Sequence, residues 1–461
     1  MTRSWKGLRV LILGAARQGL ALARYLVRSG AEVTLNDQRS VEQLAEAQRA
    51  MQDYAVRWVV GEHPLSLLDT TDLVCLSGGV PLTLPIVVEA EKRGLPVSND
   101  SQIFMEVVPC RVVGITGSAG KTTTTTLVGR MAQAEIQAPR RAWVGGNIGL
   151  PLIDFVEQIS PDDLVILELS SFQLEQMTVS PQVAAVLNIT PNHLDRHGTL
   201  EAYAAAKAHI LNYQTANDIA VLGREEPGSW ALAKQVLGQV ISFGIYPLEP
   251  GQRGTFVKEG WVCWTNGVQE ERLIAQDLIQ LRGQHNLMNV AAACAIARAA
   301  GFSTTSMAAG ITGFGGVSHR LELVREWRGV KWYNDSIATA PERTMAALRS
   351  FNEPLVLLLG GRDKKLPWSD LADLIRERVD HVVVFGEAAN LIAEALGDMP
   401  SGKRPYSLTH CSGLHEAVQA TAAIVEKGDV VLLSPGCTSF DEFKDFEERG
   451  RRFQEWVNQL S

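Results

Sequence analysis

The chain has 461 residues, of which 46% are hydrophobic and 20% charged. That apolar content can offset ordering entropy, so disorder along the whole chain is excluded, and the length suits about three domains at roughly 150 residues each. The 43 basic and 51 acidic residues leave a net charge of −8, which argues against a dedicated nucleic-acid binder and leaves open only a local basic groove. No apolar run approaches the ~18 residues of a membrane helix, so no membrane insertion is expected. The Val10-Leu11-Ile12-Leu13 run soon meets Arg17 and reads as a first strand, not a signal peptide. None of the 6 cysteines forms a CxxC pair, which fits reduced thiols and a cytoplasmic location, not a disulfide framework.

Short β-branched runs alternate with Ala/Leu-rich amphipathic stretches. Strands are predicted over 9–13, 32–36, 73–76, 111–116, 164–167, 184–188, 219–222, 355–359, 381–385 and 429–433. Strands separated by helical lengths imply βαβ units, and near-continuous apolar runs imply parallel sheets covered on both faces. The fold class is therefore α/β, as three strand series each forming a domain on a mainly parallel sheet. The first series ends near residue 100, where Ser98-Asn99-Asp100-Ser101 reads as a connection. The second runs from Val112 to about 316, with Gly313-Phe314-Gly315-Gly316 as a hinge into the third. Segment 244–281 alternates in polarity and reads as a small antiparallel insertion in the central domain.

The first chemical signal is Gly14-Ala15-Ala16-Arg17-Gln18-Gly19, after a strand and before a helix, with Asp37 at the end of the next strand. A dinucleotide fold uses such an acid on a ribose hydroxyl, but the middle glycine is lost. Close helix–strand packing accounts for the outer glycines equally well. A nucleotide-like ligand other than NAD is favoured.

The strongest signal is Val112-Val113-Gly114-Ile115-Thr116-Gly117-Ser118-Ala119-Gly120-Lys121-Thr122. Here an apolar strand meets a glycine-rich turn and a Thr-rich helix. Such a loop wraps phosphate with backbone N–H groups, Lys121 reaching the β/γ-phosphates and Thr122 holding Mg²⁺. Ile115 replaces the first glycine of the usual spacing, leaving the tighter TGSxGKT. Downstream, Glu168 ends a strand, where it either coordinates magnesium or faces solvent. His193 sits in Asn188-Ile189-Thr190-Pro191-Asn192-His193 and suits metal, phosphate or a structural role. Lys207 lies on an Ala-rich helix, where a lysine ordinarily belongs to the solvated face.

These stretches resemble the Mur ligase family over essentially the whole chain. The landmarks are TGSAGKT (116–122), GGNIG (145–149), ELSSFQLE (168–175), NITPNHLDRHG (188–198), GQHNLMN (283–289), SHRLE (318–322), NDSIAT (334–339) and LSPGCTSFDEFKDFEERG (433–450). The resemblance implies a Rossmann-like domain for the UDP-linked substrate (1–100), a P-loop ATP-binding domain (101–316) and a Rossmann-like domain for D-glutamate and ATP (317–461). It implies ATP-dependent amide formation in cytoplasmic peptidoglycan precursor synthesis. UDP-N-acetylmuramoyl-L-alanine is activated as an acyl phosphate and attacked by D-glutamate. The implied cofactors are ATP, two Mg²⁺ ions and a carbamylated lysine, in a monomer without nucleic-acid partners.

Carried over motif by motif, Gly117, Ser118, Ala119, Gly120, Lys121, Thr122 and Thr123 bind ATP phosphates. Thr122, Glu168, His193 and carbamylated Lys207 hold the metals. Asn289 and Arg320 contact adenine and phosphate, and Asp335 the ribose. Lys121, Glu168, His193, Lys207 and Arg320 form the catalytic set. Arg17, Gln18, Asp37, Arg39 and Gly79 match uridine-nucleotide positions, and Asn147, Gln173 and His193 the substrate motifs. Thr339, Lys364, Ser439, Phe440 and Phe446 match D-glutamate positions, with Lys364 preferred over Lys365. One departure is Ile337, where the family commonly has lysine; Arg343 and Lys364 are candidates to supply the missing cation. The nearest alternative, a ligase of the same family that adds another amino acid, is opposed by the first-domain turn and SFDEFKDFEERG. A phosphate-loop switch or kinase leaves the third domain unexplained, and an NAD-dependent dehydrogenase rests only on Gly14–Gly19.

Overall fold

The computed structural model describes residues 4–398 and 401–461. The chain forms two compact units, one running to Ile279 and resuming over Gln284–Phe314, the other comprising Gln280–Gly283 and Gly315–Ser461. The passage between them at Phe314 and Gly315 falls within the glycine-rich stretch read as a hinge.

The first unit carries two sheets. In the first, β1 (Arg9–Leu13), β2 (Glu32–Asp37), β3 (Val56–Val60), β4 (Leu73–Leu76) and β5 (Val97–Asn99) are ordered β3-β2-β1-β4-β5 and all parallel. The chain leaves β1 toward β2 on one side and later returns to β4 on the other. The crevice at the carboxyl ends of β1 and β4 is thus a topological switch point, where open α/β sheets take their ligands. Helix Arg17–Arg28 buries Ala21, Leu22, Tyr25 and Leu26 and leaves Arg17 exposed at the crevice.

The second sheet contains β6 (Arg111–Thr116), β7 (Ala142–Gly146), β8 (Leu164–Glu168), β9 (Val183–Val186), β10 (Ile219–Gly223), β11 (Gln239–Phe243), β12 (Gly254–Lys258), β13 (Trp261–Thr265) and β14 (Glu270–Ala275). Its order is β14-β13-β12-β11-β10-β9-β6-β8-β7. The strands from β7 through β12 pair in parallel, and β12, β13 and β14 pair antiparallel. The expected antiparallel insertion is therefore present, as an extension of the central sheet's edge. β6 lies between β8 and β9, so its carboxyl end is this sheet's switch point.

The expected connection at Ser98–Ser101 is corrected. Ser98 and Asn99 end β5, and Asp100 opens helix Asp100–Val107, capped by the Asn99 side chain accepting from the Gln102 amide at 2.8 Å. All four residues are buried. Polar residues suit a helix cap as well as a loop, and here the cap lies inside one core that runs from Trp5 to Leu222.

The second unit carries β15 (Glu322–Trp327), β16 (Val330–Asn334), β17 (Leu355–Gly360), β18 (His381–Phe385), β19 (Ser407–Cys411) and β20 (Val430–Gly436), ordered β15-β16-β20-β17-β18-β19. Only the β15–β16 pair is antiparallel among these described strands. Its switch point lies at the carboxyl ends of β17 and β20. No described helix is long and apolar enough to cross a membrane.

Candidate active site

The loop after β6 is tied down before any ligand is considered. The Ser118 amide donates to the Asn188 carbonyl at 2.9 Å, the Ala119 amide to Asn188 Oδ1 at 2.8 Å, and Ser118 Oγ to the Thr190 carbonyl at 3.0 Å. Helix Lys121–Glu135 then starts without a side-chain cap. Its first-turn amides at Lys121, Thr122 and Thr123 therefore point outward unpaired within the helix, and the helix dipole favours an anion there. Gly120 starts that helix at φ +80°, and a Cβ there would fall 2.3 Å from Asn289 Oδ1. Asn289, expected at the base, is thus packed against the phosphate loop. Gly120→Ala is expected to lower stability by about 1–2 kcal/mol through the left-handed backbone alone. It should also raise the KM for ATP by displacing Asn289; urea melts and steady-state kinetics read the two effects.

Two lysines converge on one carbonyl. Lys121 Nζ donates to Gly117 O at 2.8 Å and Lys207 Nζ to the same oxygen at 3.0 Å. Lys207 is only 1% exposed, correcting the solvated-face reading of its Ala-rich helix. Helix Leu200–Asn212 buries Tyr203, Ala206 and Lys207 on one face, and the ammonium lies 4.6 Å over the Tyr203 ring. Burial, then the charge of Lys121, push the Lys207 ammonium from the ordinary 10.5 to about 7, against the pull of Glu168. At neutral pH a substantial fraction of this amine is unprotonated.

Glu168 ends β8 and is 1% exposed. Its Oε1 accepts from Asn147 Nδ2 at 2.9 Å, whereas Oε2 is buried with no hydrogen-bond partner among the described residues. An orphaned carboxylate oxygen beside a phosphate loop fits a hard, oxygen-seeking cation. Among the described residues no cluster of three His, Cys, Asp or Glu side chains could hold a metal by itself. Magnesium sites characteristically use one or two carboxylates completed by phosphates and water, so Glu168 with Thr122 is a suitable donor set.

His193 is exposed in a left-handed conformation (φ +53°), its ring edge-on to Phe172 with centroids 5.1 Å apart. Phe172 also stacks on His197 at 5.3 Å and lies under the Arg196 guanidinium at 4.4 Å. Arg196 donates to the carbonyls of Gly79 at 3.1 Å and Val80 at 2.5 Å, clamping the loop after β4 to the loop after β9. Gln173 is buried, capping its helix with Ser170 and donating to Ser101 Oγ at 2.8 Å. A small cleft of about 10 Å³ lies among Ser77, Gly78, Asn99, Phe172, Gln173 and Arg196.

In the first-sheet crevice, Asp37 accepts from the Ala15 amide at 2.8 Å and from Arg39 Nη2 at 2.7 Å. Burial opposes its ionisation, but these donors outweigh it and hold the carboxyl at about 2. Gln18 lies beside Gly78, and Gly79 is exposed. A Cβ on Gly19 would sit 2.0 Å from the Gly14 carbonyl, so helix–strand packing alone requires that glycine.

The second unit gathers its candidates around β16, β17 and β20. Asp335 is buried, accepting from Ser434 Oγ at 2.8 Å and the Leu321 amide at 3.2 Å. Burial dominates and pushes its carboxyl up to about 7, despite Ser434, Leu321, Arg320 and Arg343. Because this folded value exceeds the ordinary 3.8, the stability Asp335 contributes is full below about pH 4 and is lost as pH rises through 7. Asp335→Asn should therefore gain stability relative to the parent at about pH 8 compared with about pH 5, with a ceiling of ~3 kcal/mol for that interval; urea unfolding at both values checks this. Lys364 Nζ donates to Thr339 Oγ1 at 3.2 Å. Ser439 is buried, Phe440 is 60% exposed, Arg320 is half-buried, and half-buried Phe446 opens the last helix with its carbonyl held by Ser336 Oγ at 2.8 Å.

Residue reasoning missed Arg449. It is fully buried, donating to Ser336 O at 2.8 Å, Ser336 Oγ at 3.0 Å, Thr438 O at 3.0 Å and Cys437 O at 3.1 Å, which binds the loops after β16 and β20 together. It stands in an acidic run that looks solvated. The signal was its spacing with Phe453 and Val457 on one helical face.

Family models place this architecture. Residues 8–99 match the Mur ligase MurD-like N-terminal domain, 115–297 the Mur ligase middle domain and 319–437 the Mur ligase glutamate ligase domain. The chain belongs to the Mur ligase family. Full-length relatives include UDP-N-acetylmuramoylalanine–D-glutamate ligases from Symbiobacterium thermophilum, 41% identical over 98% of both chains, and Koribacter versatilis, 39% identical over 99% of this chain and 98% of that one. Among solved structures, UDP-N-acetylmuramate-alanine ligase MurC from Thermotoga maritima matches with a TM-score of 0.57 at 19% identity, covering 98% of this chain and 99% of that one, a likeness of fold.

Proposed function

We propose that this protein is an ATP-dependent ligase that joins D-glutamate to UDP-N-acetylmuramoyl-L-alanine for peptidoglycan synthesis. The observation that carries this reading is the 41% identity to a D-glutamate ligase over 98% of both chains. The convergence of Lys121, Lys207 and Glu168 on the phosphate loop supports it chemically.

A carboxylate is a poor acyl donor, and phosphorylation converts it into one with a good leaving group. Its oxygen attacks the γ-phosphorus, ADP leaves, and the glutamate amine then displaces phosphate from the acyl carbon, losing a proton to give the amide. The first-turn amides of Lys121, Thr122 and Thr123 hold the phosphates, and Lys121 leaves the Gly117 carbonyl to neutralise charge developing on the transferred group. Glu168 and Thr122 are the residues that would hold magnesium, which when bound adds further charge neutralisation on the phosphates. Neutral Lys207 Nζ can add to CO₂ and lose a proton, replacing a cation with a carboxylate able to support a second magnesium with His193.

The crevice after β1 and β4, with Arg17, Gln18, Asp37, Arg39 and Gly79, takes the uridine nucleotide, and Asn147 and Gln173 face the muramoyl end. In the second unit, Arg320 and Asp335 serve the nucleotide, and Thr339, Lys364, Ser439, Phe440 and Phe446 serve D-glutamate. The domain limits are proposed at 1–100, 101–316 and 317–461. A cytoplasmic monomer is the proposed setting, in keeping with six free, buried cysteines. The test is phosphate release from ATP with UDP-N-acetylmuramoyl-L-alanine. Dependence on D-glutamate, and not on L-glutamate or other amino acids, is expected; dependence on another amino acid, or none, would overturn the assignment.

A further inference from the structure

Glutamate carries two carboxylates, and a site that selects it must answer both with charge or donors. In the second unit, one turn receives hydrogen bonds from two cations. Lys364 Nζ donates to Thr339 Oγ1 at 3.2 Å. Arg343 Nη1 donates to the Ile337 carbonyl at 3.2 Å, the oxygen that also accepts the Thr339 amide at 2.9 Å.

Two nearby cations are engaged elsewhere. Arg449 is buried with its guanidinium spent on Ser336, Cys437 and Thr438, and Arg362 is paired to Glu387 at 2.8 and 2.9 Å. Arg343 is exposed in the first turn of helix Pro341–Leu348 and forms no ion pair among the described residues. A single contact to a backbone carbonyl aims its planar fork without occupying all of its five donors. Ile337, between Asp335 and Thr339, brings no charge of its own.

We propose that Arg343 is a specificity-determining residue that holds one carboxylate of the incoming glutamate, with Lys364 holding the other. This rests on the D-glutamate ligase reading and adds a residue to it. The guanidinium is exposed before binding, so little desolvation is spent until a carboxylate arrives, and its carbonyl anchor limits the entropy lost.

The test uses the full chain and steady-state kinetics in each substrate separately. Wild-type turnover that depends on D-glutamate tests the ligase reading by itself. Arg343→Ala should raise the KM for D-glutamate by roughly tenfold or more, the loss of one charge-assisted contact, while the KM values for ATP and the UDP-linked substrate stay within about twofold. Arg343→Lys should fall between the two proteins. Ile337→Lys added to Arg343→Ala returns a cation to the same turn and should recover most of the lost affinity, which a merely misfolded turn would not do. An unchanged KM for D-glutamate in an active Arg343→Ala protein would overturn the proposal and leave the ligase reading standing. Wild type with no dependence on D-glutamate would overturn both.

Discussion

Lys207→Met is expected to abolish ligation and to stabilise the folded protein at the same time. The side chain is buried, its ammonium lies near that of Lys121, and its acid strength is raised until it titrates at about 7 in place of 10.5. For a base whose folded value is depressed, the folded state carries the full penalty of a buried charge below pH 7, where both states are protonated. The penalty shrinks as pH rises from 7 toward 10.5, because the unfolded chain then holds more protons than the folded one. The shift corresponds to a ceiling of about 5 kcal/mol. Methionine keeps the chain's length and volume without the charge. A rise in Tm of a few degrees is expected in CO₂-free buffer at about pH 6, fading by about pH 10. Turnover should fall by about 10³-fold or more on the proposed mechanism, since the buried amine that shares the Gly117 carbonyl with Lys121 is lost. A variant less stable than the parent at the lower pH would show that burial of this amine carries no strain.

That lysine also marks where sequence reasoning reached its limit. A lysine in Glu201-Ala202-Tyr203-Ala204-Ala205-Ala206-Lys207 is indistinguishable by composition from a solvated one. Only the packing of its helix on the loop after β6 brings its ammonium to the Gly117 carbonyl, and resemblance rather than periodicity named it. The phosphate loop itself was legible because strand, glycines and Lys-Thr are contiguous, so local chemistry fixes the geometry.

The same division runs through the fold. Strands 9–13, 73–76, 111–116 and 381–385 were predicted to the residue. Each lies between two neighbours, and its apolar run is nearly continuous because both faces are covered. The strands that escaped prediction include β3, β5, β7, β15 and β19 at sheet edges, alongside the interior β11 and β16. An edge strand is half-solvated and short, so β7 is Ala-Trp-Val-Gly-Gly and β19 is Ser-Leu-Thr-His-Cys, neither of which carries a strand pattern. Arg196 and Arg449 are the corresponding cases among side chains. Each fastens loops distant in sequence, and no local pattern can say which carbonyls a guanidinium will find.

Lys121→Ala should lower turnover by about 10³-fold, the scale of removing a preorganised cation from a phosphoryl-transfer site. The geometry adds a second consequence that a simple loss of phosphate binding would not produce. Lys121 and Lys207 donate to one oxygen, Gly117 O, at 2.8 and 3.0 Å, and the Lys121 charge is the second cause, after burial, that keeps Lys207 acidic. Removing a like charge favours protonation of the remaining amine. The Lys207 titration should therefore move upward in the variant, but only part of the way to 10.5, because burial is untouched. At neutral pH less neutral amine is then available to capture CO₂, so the variant should acylate more slowly at Lys207 and regain the parental rate only at higher pH. Mass spectrometry after timed exposure to an amine-reactive ester reads this directly in the ligand-free protein, independently of turnover. Lost activity with an unmoved Lys207 profile would mean that the two ammonium groups do not share a field at Gly117, and that Lys121 acts on the phosphates alone.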